Sequence, residues 1–430
     1  MKRVGICLAV AGLALAASAE DLSQTDLQAA LDELRSLKEM QAATDARIQA
    51  LEEVLLQGAS STVQQAESDA DVMRLASTAL PETQTPAEGA PDKLAQTADM
   101  LLRFEGNYSD SSRADRERGV MRARLGATYQ VDDRMEVGAL LETGDSEDPN
   151  SGYLTFDEFA DDFEISLSRA YVSYDLGGVN IIGGKFPKPF RSTDLLWDGD
   201  VNPVGLALQS DWQVSSNSSI DLSGIYFVVD ENSTGPDSQM IGGQLAFDSG
   251  IGEALSLGLA LGYYDYELDH VGGADGGDFR NNLLNTNGGY LSDYDLVDVL
   301  ASATWSGLSE RWPVGIEIDY VTNTGAAVDA DTAIGVDLDI GRTSQPHDWG
   351  MSYGYGEVGV DAVLGAFSND NFAIGTNYMV HEFGASYLLT ENVTLSGALY
   401  HYKPLNSLYA AGFMPDEWLD RLRLNVSIAY

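Results

Sequence analysis

The chain has 430 residues, a formal net charge of −43 at pH 7 and a single cysteine, Cys7. So acidic a chain argues against nucleic acid as a partner, because phosphate backbones are held by basic surfaces. Cys7 lies in a segment that we expect to be removed, so the mature chain is predicted to have neither a disulfide nor thiol chemistry.

The first 19 residues have the organisation of a secretory signal peptide. Lys2 and Arg3 form a basic start, residues 4–16 are apolar, and the small residues at 17–19 form a cleavage site. The apolar run is too short to span a membrane as a helix, and no later stretch approaches about 18 consecutive apolar residues. If the exported chain spans a membrane, it must therefore do so as a closed barrel.

Residues 20–56 are predicted to form a helix with heptad repeats. Its a and d positions are mostly apolar; they are Leu27, Leu34, Gln41, Ile48 and Leu55 at a, and Ala30, Leu37, Thr44 and Leu51 at d. This pattern is typical of a short self-associating coiled coil, and a lone amphipathic helix is the alternative. Residues 57–98 are rich in small and polar residues and proline, which predicts a flexible linker.

From residue 99 to Tyr430, apolar and polar residues alternate in segments of about ten residues, as they do in half-buried strands. Sixteen strands are predicted, at 100–108, 120–131, 134–143, 165–174, 179–186, 205–212, 219–229, 239–247, 255–265, 295–305, 314–322, 332–342, 349–359, 378–389, 393–402 and 418–430. Tight turns alternate with long polar loops, such as 144–164, 187–204, 266–294, 360–377 and 403–417. Short turns at one end, long loops at the other and an even number of strands are typical of an antiparallel transmembrane β-barrel.

One predicted hairpin, 378–402, has matching faces on its two strands. If it closes at Glu391, paired residues have numbers that sum to 782, so apolar positions meet apolar positions across the pair. His381 and His401 oppose each other on the lipid face in this register. We interpret them as interfacial residues; a partial metal site is the less favoured alternative.

The last strand ends on an aromatic residue. Leu422, Leu424 and later apolar residues lie on one face, with Arg421 and Arg423 on the other. A strand of this kind, ending here at Tyr430, resembles the closing strand of bacterial outer-membrane barrels, where it also serves as the assembly signal.

The third long loop carries a longer motif, Gly184-Lys-Phe-Pro-Lys-Pro-Phe-Arg-Ser-Thr-Asp-Leu-Leu-Trp-Asp-Gly-Asp-Val-Asn-Pro-Val-Gly-Leu206. This segment resembles the Gly-Lys-x-x-x-Pro-Phe … Trp-Asp-x-Asp-x-Asn-Pro-x-Gly signature of the putative porin family of Gram-negative outer membranes. That family also resembles the chain in its signal peptide, its N-terminal coiled coil and its sixteen-stranded barrel. The resemblance implies a pore rather than a particular substrate.

Loop 187–204 is predicted to fold into the barrel and form a constriction. Its prolines stiffen it, Phe190, Trp197 and Pro203 are its predicted anchors, and Asp194 and Asp198 are among its acidic groups. In general porins the third external loop narrows the lumen, and this loop is also the third. The alternative is a loop on the rim or against a neighbouring subunit.

Charged residues on the strands are expected to face the lumen, because an outward charge at mid-bilayer costs about 2–4 kcal/mol. The predicted constriction residues are Lys185, Lys188, Arg191, Asp194, Asp198, Asp200, Arg103, Arg122, Arg124, Arg169, Arg421 and Arg423. A cationic wall facing an acidic loop predicts a transverse field across the pore. In the alternative interpretation the arginines pair with Glu105, Glu136 and Glu142 and are structural.

The predicted protein is an outer-membrane porin, a passive diffusion channel for small hydrophilic solutes and ions, with its coiled coil in the periplasm. It is predicted to have no enzymatic activity, cofactor or metal, because the four histidines offer no catalytic constellation. The expected partners are outer-membrane lipid, two further copies in a homotrimer, the barrel assembly machinery through the Tyr430 strand, and peptidoglycan or a periplasmic partner through the coiled coil. The alternatives are a substrate-specific channel and a barrel that mainly tethers the envelope.

Overall fold

The computed structural model describes residues 93–109, 115–144, 152–156, 163–269, 271, 279–309, 311–410, 413 and 416–430. The predicted signal peptide, the predicted coiled-coil helix and residues 57–92 of the predicted linker lie outside these residues. Within the described part of the chain, no helix is long and apolar enough to cross a membrane.

The described residues form seventeen β-strands. They are β1 (Leu94–Ser109), β2 (Arg116–Gln130), β3 (Met135–Thr143), β4 (Leu154–Thr155), β5 (Ile165–Asp175), β6 (Asn180–Lys185), β7 (Val204–Ser215), β8 (Ser218–Asp230), β9 (Ser238–Ile251), β10 (Leu255–Glu267), β11 (Tyr294–Trp305), β12 (Val314–Asn323), β13 (Thr332–Gly341), β14 (Trp349–Val358), β15 (Tyr378–Thr390), β16 (Val393–Pro404) and β17 (Leu419–Ala429). A short 3-10 helix, Ser407–Tyr409, lies between the last two strands.

Sixteen of these strands make one closed barrel. Each pairs antiparallel with the next along the chain, β3 pairs with β5, and β17 pairs back with β1. The remaining strand, the two-residue β4, pairs with β2 beyond the end of β3. The predicted sixteen-stranded antiparallel barrel is therefore confirmed, and every predicted strand coincides with an observed one.

The first strand begins earlier than the sequence pattern predicted. β1 starts at Leu94, and residues 94–98 pair with β2, so the barrel begins before residue 99 and the predicted linker is correspondingly shorter. Residues 94–98 alternate only weakly in hydrophobicity, which explains the error. The hairpin register agrees with the prediction, since Tyr387 pairs with Leu395 and His381 with His401.

The barrel wall alternates between an apolar outer face and a mostly polar or aromatic inner face. Outward side chains such as Leu125, Leu206 and Ile241 are more than half exposed, because no protein covers them. Inward side chains at the neighbouring positions are buried or partly buried. Since a continuous apolar face of this extent is unfavourable in water, the outer face fits the hydrocarbon of a bilayer.

Two loops fold back into the barrel from the end that carries the long loops. They are 186–203, between β6 and β7, and 359–377, between β14 and β15; together with inward residues of the barrel they form one buried apolar cluster. The prediction of a polar external loop at 360–377 is wrong. The many apolar residues of this loop, among them Val363, Phe367 and Ile374, are buried inside the barrel, where they avoid water.

Candidate functional site

Loop 186–203 crosses the lumen from one wall to the other. At its neck, the amide of Phe186 donates to the carbonyl of Pro203 over 3.0 Å. Along its course the Thr193 hydroxyl donates to Asp319 of β12, and Arg122 of β2 donates to Asp200 over 3.3 Å. Since β2 and β12 lie on nearly opposite sides of the sixteen-stranded ring, the loop spans the barrel and divides its lumen.

Aromatic side chains hold the middle of this loop. Trp197 is 1% exposed; its ring stacks on Phe367 at 5.3 Å between centroids and meets Phe190 edge-on at 5.4 Å. Phe190 in turn lies 4.8 Å from the ring of Tyr264, an inward residue of β10. The predicted anchors Phe190 and Trp197 are thus buried against the wall and the second loop, and the buried Pro203 closes the neck.

Loop 359–377 packs on the first loop and links it to β17. The amide of Asn369 donates to the carbonyl of Asp194 over 2.8 Å, and the side-chain amide of Asn371 donates to the Asp194 carboxylate over 3.1 Å. Arg423 donates to the side-chain oxygen of Asn371 over 2.6 Å, and Arg421 to its carbonyl over 3.0 Å. This bridge was not predicted from the sequence, although the apolar composition of the loop was a signal for burial.

Six arginines cover the lumen side of β17, β1 and β2, and we call them the arginine wall; they are Arg103, Arg118, Arg122, Arg124, Arg421 and Arg423. At its centre lies Glu105, which is fully buried. Its carboxylate lies 2.6 Å from Arg118, 3.0 Å from Arg423 and 3.7 Å from Arg421. The arginines of the wall are thus contiguous on three neighbouring strands, and Glu105 pairs with three of them.

The lower part of the arginine wall is paired with two aspartates. Arg124 lies 2.7 Å from Asp99 and 3.8 Å from Asp200, and the fully buried Arg122 lies 3.5 Å and 3.3 Å from the same two residues. Arg103 donates to the Asn425 side chain over 2.9 Å. Asp200 of the loop thus pairs with the arginine wall, which the loop reaches by crossing the lumen.

The remaining predicted basic residues lie apart from this wall. Arg169 donates to the side chain of Asn202 over 2.7 Å, near the exit of the loop. Lys188 is bound within the loop, to the Ser192 hydroxyl over 2.7 Å and the Trp197 carbonyl over 3.0 Å. Arg191 reaches the other side of the barrel, where it pairs with Asp221 and Asp248 of β8 and β9.

The prediction that Lys185 faces the lumen is wrong. Lys185 pairs with Ala170 and Val204, positions whose alternation places them on the outer face. The motif places it next to the loop, but the strand register gives it the outward parity, so it lies outside the constriction.

Four further strands, β11, β12, β13 and β15, carry inward carboxylates, which we call the acid wall; they are Asp298, Glu317, Asp319, Asp337, Asp339 and Glu382. Between β13 and β15 lies β14, which has glycines at inward positions, and the pairing of β12 with β13 places Glu317 directly opposite Asp337. This wall was not predicted, although the alternation along the strands that located the arginines also places these residues inward.

A cavity of about 100 Å³ separates the acid wall from the two loops. Its lining includes Asp337, Asp339 and Glu382 of the acid wall and Asp194 of the loop. Glycines at inward positions of β13 and β14 leave the space open: a Cβ added to Gly354 would lie 2.8 Å from an Asp337 carboxylate oxygen. The cavity is therefore a consequence of small residues between acidic ones.

Asp198 differs from the other loop aspartates because it is almost fully buried. Burial raises its pKa well above the usual range, and the neighbouring carboxylates Asp370, Asp194 and Asp200 add to the rise. One of its oxygens accepts the amide of Asp200 over 2.8 Å, which stabilises the turn. Asp198 is thus a structural group of the loop and is not accessible to solutes in the lumen.

The two opposed histidines lie on the outer face among aromatic rings. His401 stacks on Trp418 at 4.1 Å and contacts Asp420 at 2.7 Å, while His381 bonds the Tyr353 hydroxyl at 2.9 Å. In the described residues, no group of three or more His, Cys, Asp or Glu side chains is arranged to hold a metal ion.

Comparison with known proteins agrees with this architecture. The family model described as putative porin matches residues 55–276 and 279–409. No curated protein matches the sequence. Among solved structures, the chain is similar to OprB of Pseudomonas putida at high pH, with 13% identity, a TM-score of 0.54 and coverage of 79% of this chain and 94% of that one.

Two further porin structures have similar coverage and lower TM-scores. OmpF of Salmonella typhi is 11% identical, with a TM-score of 0.47 over 79% of this chain and 98% of that one. The porin of Rhodopseudomonas blastica is 14% identical, with a TM-score of 0.42 over 78% and 100%. Because the family model covers most of the sequence and its fold is the barrel described above, the chain belongs to the putative porin family.

Proposed function

We propose that this outer-membrane porin is a passive diffusion channel for small hydrophilic solutes and ions, and that loop 186–203 forms its constriction. One observation carries the proposal: a loop that crosses a closed barrel lies between a wall of arginines and a wall of carboxylates. Charged walls of opposite sign flank a narrow aqueous gap there. The gap is lined by groups that replace the hydration of polar solutes but offer nothing to apolar ones.

Passage through such a gap involves no bond making or breaking. The opposed charges create a field across the lumen, which orients dipolar solutes and raises the local concentration of ions of one sign. The apolar cluster of the two loops lies inside the barrel and limits the size of what can pass. Size and charge at the constriction therefore set the rate of diffusion.

The second infolded loop favours one alternative, a substrate-specific channel. Loop 359–377 narrows the lumen further than loop 186–203 alone would. A narrow lumen with fixed charges can bind a preferred solute. A specific channel would show a transport rate that saturates with solute concentration and competition between related solutes. A general porin would show rates that depend on size and charge alone.

The surroundings of the barrel are proposed from the sequence. We propose that three copies associate, that the Tyr430 strand is recognised by the barrel assembly machinery, and that the outer face contacts membrane lipid. The coiled coil predicted at 20–56 would lie in the periplasm and bind peptidoglycan or another periplasmic partner. The heptad pattern supports self-association, and the exposed apolar side chains of the wall support the contact with lipid.

Single-channel recording of the mature chain, refolded and inserted into planar bilayers, tests the proposal. We expect large, stable conductance steps in multiples of three, and swelling of protein-containing liposomes in small sugars that declines with sugar size. A variant lacking residues 20–92, which keeps the whole of β1, should conduct like the full chain. Correctly folded, heat-modifiable barrels without conductance would refute the porin function and favour the tether, whose envelope phenotype the deletion should abolish.

A further inference from the structure

We infer that the channel prefers cations to anions and that the acid wall determines this preference. The inference rests on the proposed function, because it assigns a sign to the field of the same lumen. The two walls carry opposite charges, so the sign depends on which charges a permeating ion can reach. Burial and pairing differ between the two walls, and both differences favour cations.

The arginine wall is largely covered and bound. Arg122, Arg103 and Arg423 are at most 4% exposed. Glu105, Asp99 and Asp200 hold five of the six arginines in ion pairs. The second loop covers part of the wall, and Asn371 occupies donors of both arginines of β17. An anion in the lumen therefore meets few accessible guanidinium groups.

Asp298 and Asp319 of the acid wall are buried, but its other four carboxylates are partly exposed, and the wall lacks basic residues of its own. No lysine or arginine occurs within the bounds of β11, β12, β13, β14 or β15, so no strand of the wall supplies a cation. Glu317, Asp337, Asp339 and Glu382 are partly exposed and line the cavity between the wall and the loops. A permeating cation can therefore reach carboxylates whose own strands supply no counter-charge.

The pairing within the acid wall also favours a mobile counter-ion. Glu317 and Asp337 are directly opposed inward residues of neighbouring strands, an arrangement that is destabilising when both are charged. A permeating cation that approaches Asp337 from the cavity reduces this repulsion. Because the described residues include no metal-binding arrangement of three ligands, we expect such cations to be held weakly and to exchange quickly with the lumen.

The test is the reversal potential of the refolded mature chain in planar bilayers under a KCl gradient. The wild type should give the sign of a potassium-preferring pore. Asp337→Asn, Asp339→Asn and Glu382→Gln, singly and together, should lower the ratio of potassium to chloride permeability by about threefold per charge. This factor combines the Coulomb attraction of potassium and the equal repulsion of chloride by one unit charge at about 12 Å in water.

Asp265→Asn is the matched control. Asp265 of β10 is also opposed to an acidic residue, Asp295 of β11, but the pair lies on the outer parity near the end of both strands. This variant removes the same charge from the same kind of pair outside the lumen, so its permeability ratio should equal that of the wild type.

The outcomes separate this inference from the proposed function. Conducting wild-type channels with a reversal potential near zero, or of the sign for chloride, would overturn the inference and leave the porin function intact. A cation preference that the triple variant retains in full would overturn the assignment to the acid wall. Folded barrels that do not conduct would refute the proposed function itself. If the triple variant does not fold, the test uses the sign of the wild-type reversal potential and the permeability ratios of the three single variants.

Discussion

Replacement of Glu105 by glutamine tests the organisation of the arginine wall. Three arginines converge on this fully buried carboxylate, at 2.6, 3.0 and 3.7 Å. Removing one partner of a buried ion pair costs about 3–5 kcal/mol, because the other charge stays buried without compensation. Arg118 is one-quarter exposed and can turn to water, whereas Arg421 and Arg423 are almost covered. We therefore expect a loss at the lower end of this range, about 3 kcal/mol.

The assay is equilibrium unfolding in urea of the barrel in lipid vesicles, followed by tryptophan fluorescence, with the free energy extrapolated to water. Glu117→Gln is the control, because Glu117 lies on the outer parity of the neighbouring strand, where it accepts an exposed bond of 3.2 Å from Tyr108. It should change the stability by less than about 0.5 kcal/mol. A loss below about 1 kcal/mol for Glu105→Gln would refute the view that Glu105 is the centre of the wall.

Three other variants address the loop and the cavity. Trp197→Ala should cost about 3–5 kcal/mol of loop packing and give larger, noisier conductance steps, whereas unchanged steps would contradict its role as an anchor. Gly354→Ala should lower single-channel conductance without a change of fold, because its Cβ would lie 2.8 Å from Asp337; wild-type conductance would place the ion path elsewhere. Burial raises the pKa of Asp198 above its ordinary value of 3.8. The folded protein therefore loses stability as the pH rises above 3.8, because the carboxylate ionises more readily in the unfolded chain. The free energy of unfolding of Asp198→Asn in urea, relative to that of the wild type, should therefore be higher at pH 8 than at pH 4. An equal difference at both pH values would contradict this prediction.

The strands of the barrel were predictable because their environment imposes a strict pattern. Each strand has one face toward an apolar medium and one toward the lumen, so the period of two appears directly in the sequence. The register of the hairpin 378–402 followed from the same rule, and β1 was misjudged only at residues 94–98, where the alternation fades. The loop anchors Phe190 and Trp197 were also predictable, because large aromatic residues in a loop rarely remain in water.

The misjudged elements depend on contacts that no local pattern encodes. Loop 359–377 has no periodicity, and its burial depends on the space left by the first loop and on inward aromatic residues of distant strands. Lys185 stands within a loop motif but obeys the register of its strand, which pairs it with outward positions. The two-residue β4 exists because β3 ends early and leaves the edge of β2 free to pair.

The charge of the lumen illustrates the difference between placing a residue and knowing its effect. Alternation along the strands places both walls inward, but it assigns equal weight to a buried Arg122 and a partly exposed Asp337. The field that an ion meets depends on cover and pairing, which arise only when the two loops enter the barrel. A loop that covers one wall more than the other can therefore set the sign of selectivity without a change in net charge. The same strands with a shorter loop 359–377 would expose Arg421 and Arg423 and should move the reversal potential toward chloride.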